Sequence, residues 1–409
     1  MKIHLRPIKK NIMYFAFVFI LVMFTDTLWI RYINGNRFYL VIVLGIGTLL
    51  VGLNHCTKND FKKMMCFIVP VILTMFVNLD SNLLIIFKVA IICVCWAVAT
   101  KAEISKLINC YISFMVFIAV FSLICMAFRQ AITAVDFIPT INSGTYGTKA
   151  LFFTNVKIGT GNLYFLRNQG PFWEPGAYQA YLNLAIIFLF FGNVERKKRN
   201  IEILILCITV ISTISTTGYM ALGVIMLAKM FSKDTSSLRS KFIIVAMFLA
   251  ITLIAVNNET INYLLFDKMN SASNNNISNA TRLYSIMQNT KGILWNPVFG
   301  IGPSKYSTLF TESKSILGSI SVGVNTTTSL SVWALYGIAY FVFFNGGIIY
   351  FAKSLGDKLL PTIFILIALF MIYNSENLNY SLFFNWIVVL GYCKKRGELC
   401  ESGNNINSI

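Results

Sequence analysis

Long apolar runs limit what this chain can fold into more than any motif does. They cover residues 12–30, 38–54, 64–79, 82–99, 107–128, 177–192, 201–217, 218–231, 242–256, 327–352, 359–374 and 380–393. A bilayer core takes about 20 helical residues, because a backbone in hydrocarbon has to satisfy its own N–H and C=O groups. With 56% hydrophobic and 12% charged residues, the chain lies far from the composition of a soluble domain. The expected fold is an all-α, polytopic integral membrane protein, a single membrane domain over 1–409 with about twelve transmembrane helices. Several runs fall short of spanning length, so their polar ends must reach inward.

Orientation follows from Lys and Arg, which cytoplasmic loops retain in excess. With the N-terminus inside and alternating helices, 22 of the 34 Lys and Arg residues face the cytoplasm and 11 face outward. Lys88 stands alone within a span, a functional candidate that could also snorkel or pair with other helices. The net charge of +18 is therefore mostly topology, and nucleic acid is not an expected partner. The same count divides 201–231 into two helices at STISTTGY (212–219), since one long helix would put the basic cluster at Lys229–Lys241 outside. No small-residue cleavage site follows the first apolar run, which is kept as a helix rather than a leader. All nine cysteines fall in spans or on the inner side, so no disulfide is expected. Cys93 and Cys95 lie in an apolar helix with no His nearby and read as small buried hydrophobes.

Two loops are long enough to build a site, 129–176 and 257–326, and both are expected on the extracytoplasmic face. The first ends in RNQGPFWEPGAYQAYL (167–182), where a polar stretch with one arginine and one glutamate runs into an apolar helix. Gly170, Pro171, Pro175 and Gly176 make that lead-in stiff and rich in turns. Pro175 suits the first helical position, with Glu174 just ahead at the positive end of the helix dipole. The loop's aromatic residues, Trp173 among them, suit packing at the bilayer interface, which the pattern favours, and also stacking on sugar faces. The second loop contains the Asn/Ser-rich NSASNNNISNA (270–280), too polar to hold a core. In it Leu283, Ile286, Met287, Ile293 and Leu294 predict a short amphipathic helix along the membrane, broken at Asn296–Pro297 and followed by a tight turn at Gly300, Gly302 and Pro303. Arg282 heads that helix, with Lys291 and Lys305 nearby. Two outer loops that each present an arginine match a lipid diphosphate, because guanidinium forks bind phosphate oxygens bidentately. Ordinary interfacial cations are the bland alternative.

The segments RNQGPFWEPGAYQAYL, STISTTGYMAL (212–222), RLYSIMQNTKGILWNPVFGIGPSKY (282–306) and NTTTSLSVWALYGI (325–338) resemble, in this order, segments of the O-antigen polymerase and O-antigen ligase superfamily. The resemblance covers the region from 167 to 338 and reaches the first 120 residues only through hydropathy. Its more specific pieces are the arginine followed by G-x-F-x-E-P-G and the N-P-x-F-G-x-G turn. It implies a multi-pass enzyme of the bacterial inner membrane, both termini cytoplasmic, that uses undecaprenyl-diphosphate-linked glycans on the outer face. It also implies functional arginines in two large periplasmic loops, which map onto Arg167 and Arg282. Ligases carry a His-Asn pair before a late helix, where this chain has Thr326 and Thr327. That departure favours a polymerase of O-antigen or capsule over a ligase that transfers glycan to lipid A-core. The spacing from arginine to glycine typical of some polymerase loops is not reproduced. A chain-length regulator protein is a further partner that such a polymerase implies, beside membrane lipid.

For glycosyl transfer from a polyprenyl diphosphate, Arg167 and Arg282 would take the diphosphate charge, and Glu174 or Glu376 would act as general base on the acceptor hydroxyl. Trp173, Tyr178, Tyr284, Lys291 and Lys305 are the candidates for further substrate contact, whereas Lys157 and Lys314 are expected to be bystanders. No metal or other cofactor is expected, since the outer loops hold no His or Cys and few carboxylates. A lipid-linked oligosaccharide flippase or other transporter would share the span count and the lipid partner, but no repeat relates the two halves and charges are nearly absent from the spans. The topology has a direct check. In a cysteine-free background, Asn274→Cys should react with an impermeant thiol reagent and Ser236→Cys should not; equal labelling, or the reverse, overturns the orientation.

Overall fold

The computed structural model describes residues 7–29, 58–101, 103–143, 146–159, 166–192, 194, 196–233, 277–316 and 325–393. The expected spans at 38–54 and 242–256, most of the Asn/Ser-rich stretch, and Ser236 and Asn274 lie outside them. Every other apolar run named above is a helix. In order the chain forms α1 (Pro7–Asp26), α2 (Lys58–Asn78), α3 (Leu83–Lys101), α4 (Ile104–Ala127) and a short α5 (Arg129–Ala134). Three strands follow, β1 (Thr140–Ser143), β2 (Tyr146–Leu151) and β3 (Thr154–Lys157). After them come α6 (Pro175–Phe191), α7 (Arg199–Ser212), α8 (Thr216–Met230), α9 (Ile277–Trp295), α10 (Gly302–Ile316), α11 (Thr328–Leu355), α12 (Leu359–Tyr373) and α13 (Leu382–Cys393). The protein is mostly helical, and among the described residues three helices are long and apolar enough to cross a membrane: Leu83–Thr100, Ile104–Ala127 and Thr328–Leu355.

The centre of the fold is α6. Every side chain from Pro175 to Leu189 is buried, as expected of a helix apolar on all faces. It packs on α4, α7 and α8, while α11 and α13 pack together and carry α2, α3 and α12 around them. The polar residues of α6 are paired inside the bundle. Gln179 Nε2 donates to Ser375 Oγ (3.0 Å), Asn183 Nδ2 to Gln179 Oε1 (2.9 Å) and to Gly218 O (3.2 Å), and the Tyr181 hydroxyl to Asp26.

At one end of the bundle, basic side chains meet helix C-termini, where carbonyls lack intrahelical partners. Arg199 and Lys229 both donate to Phe190 O, and Lys63 donates to Tyr392 O at 2.9 Å. Arg196 forms a 2.5 Å ion pair with Glu202. The opposite end carries the two loop regions, and α7 and α8 do separate there, at Thr213–Ser215.

That loop end departs from a purely helical fold in one respect. Residues 140–157 form an antiparallel sheet in the order β1-β2-β3, with Thr140 opposite Lys149 and Thr148 opposite Lys157. Strands such as TINS and TNVK are too short and polar to show an apolar alternation, so their pairing is set by distant contacts. The outer edge of β3 is closed by the lead-in to α6, through Asn155 N to Gly170 O (2.7 Å) and Asn155 Nδ2 to Phe172 O (3.2 Å). The β2–β3 turn anchors the sheet with Phe153, whose ring meets Phe117 of α4 edge-on at 5.1 Å, and with Phe152, stacked on Phe19 of α1 at 5.9 Å. These two aromatic residues serve packing between elements.

In the second loop region the amphipathic helix is present as α9, followed by α10, which its polar sequence did not announce. Leu283, Met287 and Leu294 of α9 are exposed. The tight turn between α9 and α10 locks into a break in α11 at Gly337, which has φ 78° and ψ 179°. The missing intrahelical bond from Ile338 N to Ala334 O is replaced on both sides. Ile338 N donates to Pro297 O (3.0 Å), and Ala334 O accepts from Ile301 N (2.8 Å). The Asn-Pro-Val-Phe-Gly-Ile segment thus acts as a backbone splint for the helix. A Cβ at Gly337 would overlap Val298 O, and that backbone conformation is essentially confined to glycine. Gly337→Ala should destabilise the protein by at least about 2 kcal/mol, seen as a lowered thermal midpoint in detergent; a midpoint equal to that of the parent would mean the splint does not hold this break.

Candidate functional site

The α7–α8 break organises the loop end. Thr213 ends α7 and Ser215 caps α8, its hydroxyl accepting from Gly218 N at 3.4 Å. Arg167, arriving from the first loop region, donates Nε to Thr213 O at 3.3 Å. Arg282, arriving from the second, donates Nη2 to Thr217 Oγ1 at 3.1 Å. Four residues of chain span at most about 14 Å, so the two guanidinium groups are gathered at one interhelical turn from loops that lie far apart in sequence. Just before Arg167's neighbours enter the bundle, Asn168 N donates to Ser212 O (3.0 Å), and Asn168 Nδ2 reaches Ser122 Oγ and Ser212 Oγ (both 3.0 Å). The residue next to Arg167 is therefore held to Ser212 of α7 and Ser122 of α4.

Two carboxylates stand at the start of α6. Glu174 occupies the N-cap position, and its carbonyl accepts from Ala177 N and Tyr178 N at 3.2 Å each, with Pro175 at the first helical position. Its exposed side chain makes no capping hydrogen bond. The carboxylate is thus available for another task, which spacing alone could not decide. Glu376 comes from the turn between α12 and α13. Its carboxylate lies over Gly176, where any Cβ would overlap Oε1. Glycine at this position is what admits a carboxylate to the N-terminus of α6, where the helix dipole favours negative charge. Gln179, one turn further on, touches both Ser375 of the Glu376 turn and Gly218 of α8. The Glu376 turn and the Arg282 anchor thus share the same two helix starts.

Lys157 is the residue that the sequence did not single out. At the end of β3 it is buried, 6% exposed, and its charged neighbours are Arg167 and Glu174. Burial pushes its ammonium down to about 7, the Arg167 cation adds to the fall, and the Glu174 carboxylate opposes it. Nothing in the segment TNVK marks this lysine out, because its position comes from the unforeseen sheet. The structure places this expected bystander beside Arg167 and Glu174. Lys314 has no described side-chain environment.

The remaining candidates fall into two groups. Trp173 is half-buried between the main core and the sheet, at the side of Glu174. Tyr178 is fully buried, its ring stacked on Phe172 at 5.6 Å and its hydroxyl 3.0 Å from Ser122 Oγ, so it braces the lead-in rather than lining an opening. Tyr284 packs edge-on against Phe310 at 6.3 Å, which ties α9 to α10. Lys291 is exposed and lies over the Trp295 ring at 5.0 Å, and Lys305 is exposed on α10. Tyr284 and Lys291 follow Arg282 along α9, and Lys305 stands on α10. Among the described residues, no three His, Cys, Asp or Glu side chains are grouped to hold a metal ion.

No protein-family model matches this chain, and no curated protein is significantly similar to it. The chemistry must be argued from the cluster itself: Lys157, Arg167 and Arg282 beside Glu174 and Glu376, at two helix N-termini. Such an assembly suits a polyanion with a proton-donating group next to it. Lys157 is charged below and neutral above a pH of about 7, so affinity for inorganic pyrophosphate should fall as pH rises through that value. Lys157→Arg should flatten the fall, and comparing the two proteins by calorimetry cancels the ligand's own titration. Identical pH profiles would place Lys157 outside the anion site.

Proposed function

We propose that this chain is a polysaccharide polymerase, joining undecaprenyl-diphosphate-linked oligosaccharide repeat units of an O-antigen or capsule by glycosyl transfer. In this reading it is a multi-pass protein of the bacterial inner membrane with both termini cytoplasmic, and loops 129–176 and 257–326 on the outer face. The observation that carries the proposal is the gathering of Arg167 and Arg282, from two loops, onto Thr213 O and Thr217 Oγ1 of one helix break. A diphosphate held between them would have its leaving-group charge met by guanidinium forks, Lys157 and the start of α8.

The reaction needs little more from the protein than placement and charge. The acceptor hydroxyl oxygen attacks the anomeric carbon, the bond from that carbon to the diphosphate oxygen breaks, and undecaprenyl diphosphate leaves with the bonding electrons. The acceptor's proton passes to a carboxylate, Glu376 or Glu174, both at the start of α6. The sequence at Thr326 and Thr327 supports a polymerase over a ligase. There Thr327 Oγ1 accepts from Asn289 Nδ2 at 3.0 Å, in a network of hydroxyls and amides with no imidazole.

Deleting the gene in its host should leave a single repeat unit on core or lipid carrier, visible as loss of the ladder on a glycan gel. Arg→Lys keeps the charge and loses the planar fork. Losing one charge-assisted diphosphate contact should cost about 2–4 kcal/mol of transition-state stabilisation, or about 30- to 1000-fold in rate. Arg167→Lys and Arg282→Lys, at unchanged protein abundance, should therefore each nearly abolish long chains. A near-normal ladder in either would make that arginine an interfacial anchor. Full-length polymer remaining on the carrier in the deletion strain would mean a ligase, and internal accumulation of repeat units a flippase.

A further inference from the structure

Lys88, singled out in the sequence as the lone cation of a span, takes no part in the chemistry above. It is fully buried on the second turn of α3 and does not snorkel. Its Nζ donates to Asn379 O (2.5 Å), Asn379 Oδ1 (2.8 Å) and Asn385 Oδ1 (2.9 Å). An ammonium has three protons, and each has an acceptor. Four rings complete its surroundings: Tyr340 at 5.3 Å, Phe344 and Tyr380 at 5.7 Å, and Tyr336 at 6.0 Å. All three acceptors are neutral oxygens, two of them on the turn that joins α12 to α13. That turn carries Glu376.

The turn is tied down on its other side as well. Thr328 Oγ1 donates to Glu376 O and accepts from Leu378 N, both at 2.8 Å, and the Tyr380 and Tyr336 hydroxyls meet at 2.9 Å. Thr328 fixes the backbone at 376–378, and Lys88 fixes it at 379. Between them the backbone on both sides of the Glu376 side chain is held, with the carboxylate over Gly176. An ion as costly to bury as an ammonium, donating mainly to one asparagine, is poorly explained by packing alone. We propose that Lys88 is a positioning residue, the clamp that holds the turn 374–381 so that the Glu376 carboxylate stays over Gly176.

The part of this concerning turnover rests on the proposed polymerase, so the test separates the two. Lys88→Met keeps length and removes the three donors. In hydrogen-exchange mass spectrometry of the full chain in detergent, amides of 374–381 should exchange about tenfold faster in this variant, while those of α4 are unchanged. Turnover with a lipid-linked donor should fall about 100-fold in kcat with KM altered less than about twofold. Adding Lys88→Met to Glu376→Gln should cost nothing further, because both act through one carboxylate. Unchanged exchange in the turn overturns the clamp whatever the chain's activity, and a full additional loss in the double variant overturns its action through Glu376. If Glu376→Gln alone leaves polymer intact, the role of Glu376 in the proposed reaction fails, and the exchange result still decides the clamp. Should Lys88→Met not accumulate, Asn379→Ala removes one acceptor with the ammonium in place and gives the same exchange readout.

Discussion

A helix buried on every face can carry polar side chains only if each is paired, and α6 turns that requirement into architecture. Leaving one such group unsatisfied costs about 1–3 kcal/mol, more than a typical paired one contributes. The pairs of α6 therefore act chiefly by excluding other registers. Tyr181 ties α1 and α13 through Asp26 and Ser381, its carbonyl accepts from Tyr111 of α4, Asn183 reaches Gly218 of α8, and Gln179 reaches Ser375. Sliding α6 by one residue would break all of these together. The same helix presents Glu174 and Gly176 at its start, so the elements that define the candidate site are located by the pairing that locates the bundle.

Two helix breaks in this protein solve one problem in different ways. At Gly337 the freed carbonyl and amide are taken by other backbone groups, on both sides. At Thr213–Ser215 the freed Thr213 carbonyl is taken by a guanidinium, and the hydroxyl of Thr217 by another. A backbone splint is neutral, whereas an arginine on the carbonyl brings a full positive charge to the break. The first break joins backbone to backbone, and the second gathers two guanidinium groups, which is where the proposed diphosphate would sit.

The helices were legible because long apolar runs leave the backbone few choices, and the α7–α8 break because a charge count forbade one helix. The position of Pro175 and Glu174 was legible too, since capping is local chemistry. What could not be read is whatever depends on distant closure. The strands of 140–157 have no pattern of their own and exist through β3's edge meeting Gly170 and Phe172. Lys157 owes its place to that sheet. Likewise, the partners of Lys88 lie almost 300 positions away, and an asparagine offers no sign in sequence that it will receive an ammonium.

Which carboxylate should accept a proton follows from how each is held. Glu174 projects from an N-cap with an exposed side chain and a cation, Lys157, among its neighbours. It can follow a substrate that enters the site, but it offers no fixed direction. Glu376 stands on a turn bound at Thr328, at Tyr336 and at Lys88, and its carboxylate lies over Gly176 at the start of α6. A base has to lie within hydrogen-bond reach of one particular hydroxyl at the moment of attack, so restricted freedom is the more useful property. For the proposed transfer, Glu376 is the better candidate for the base, and Glu174 for the group that orders Lys157 and Arg167 around the diphosphate.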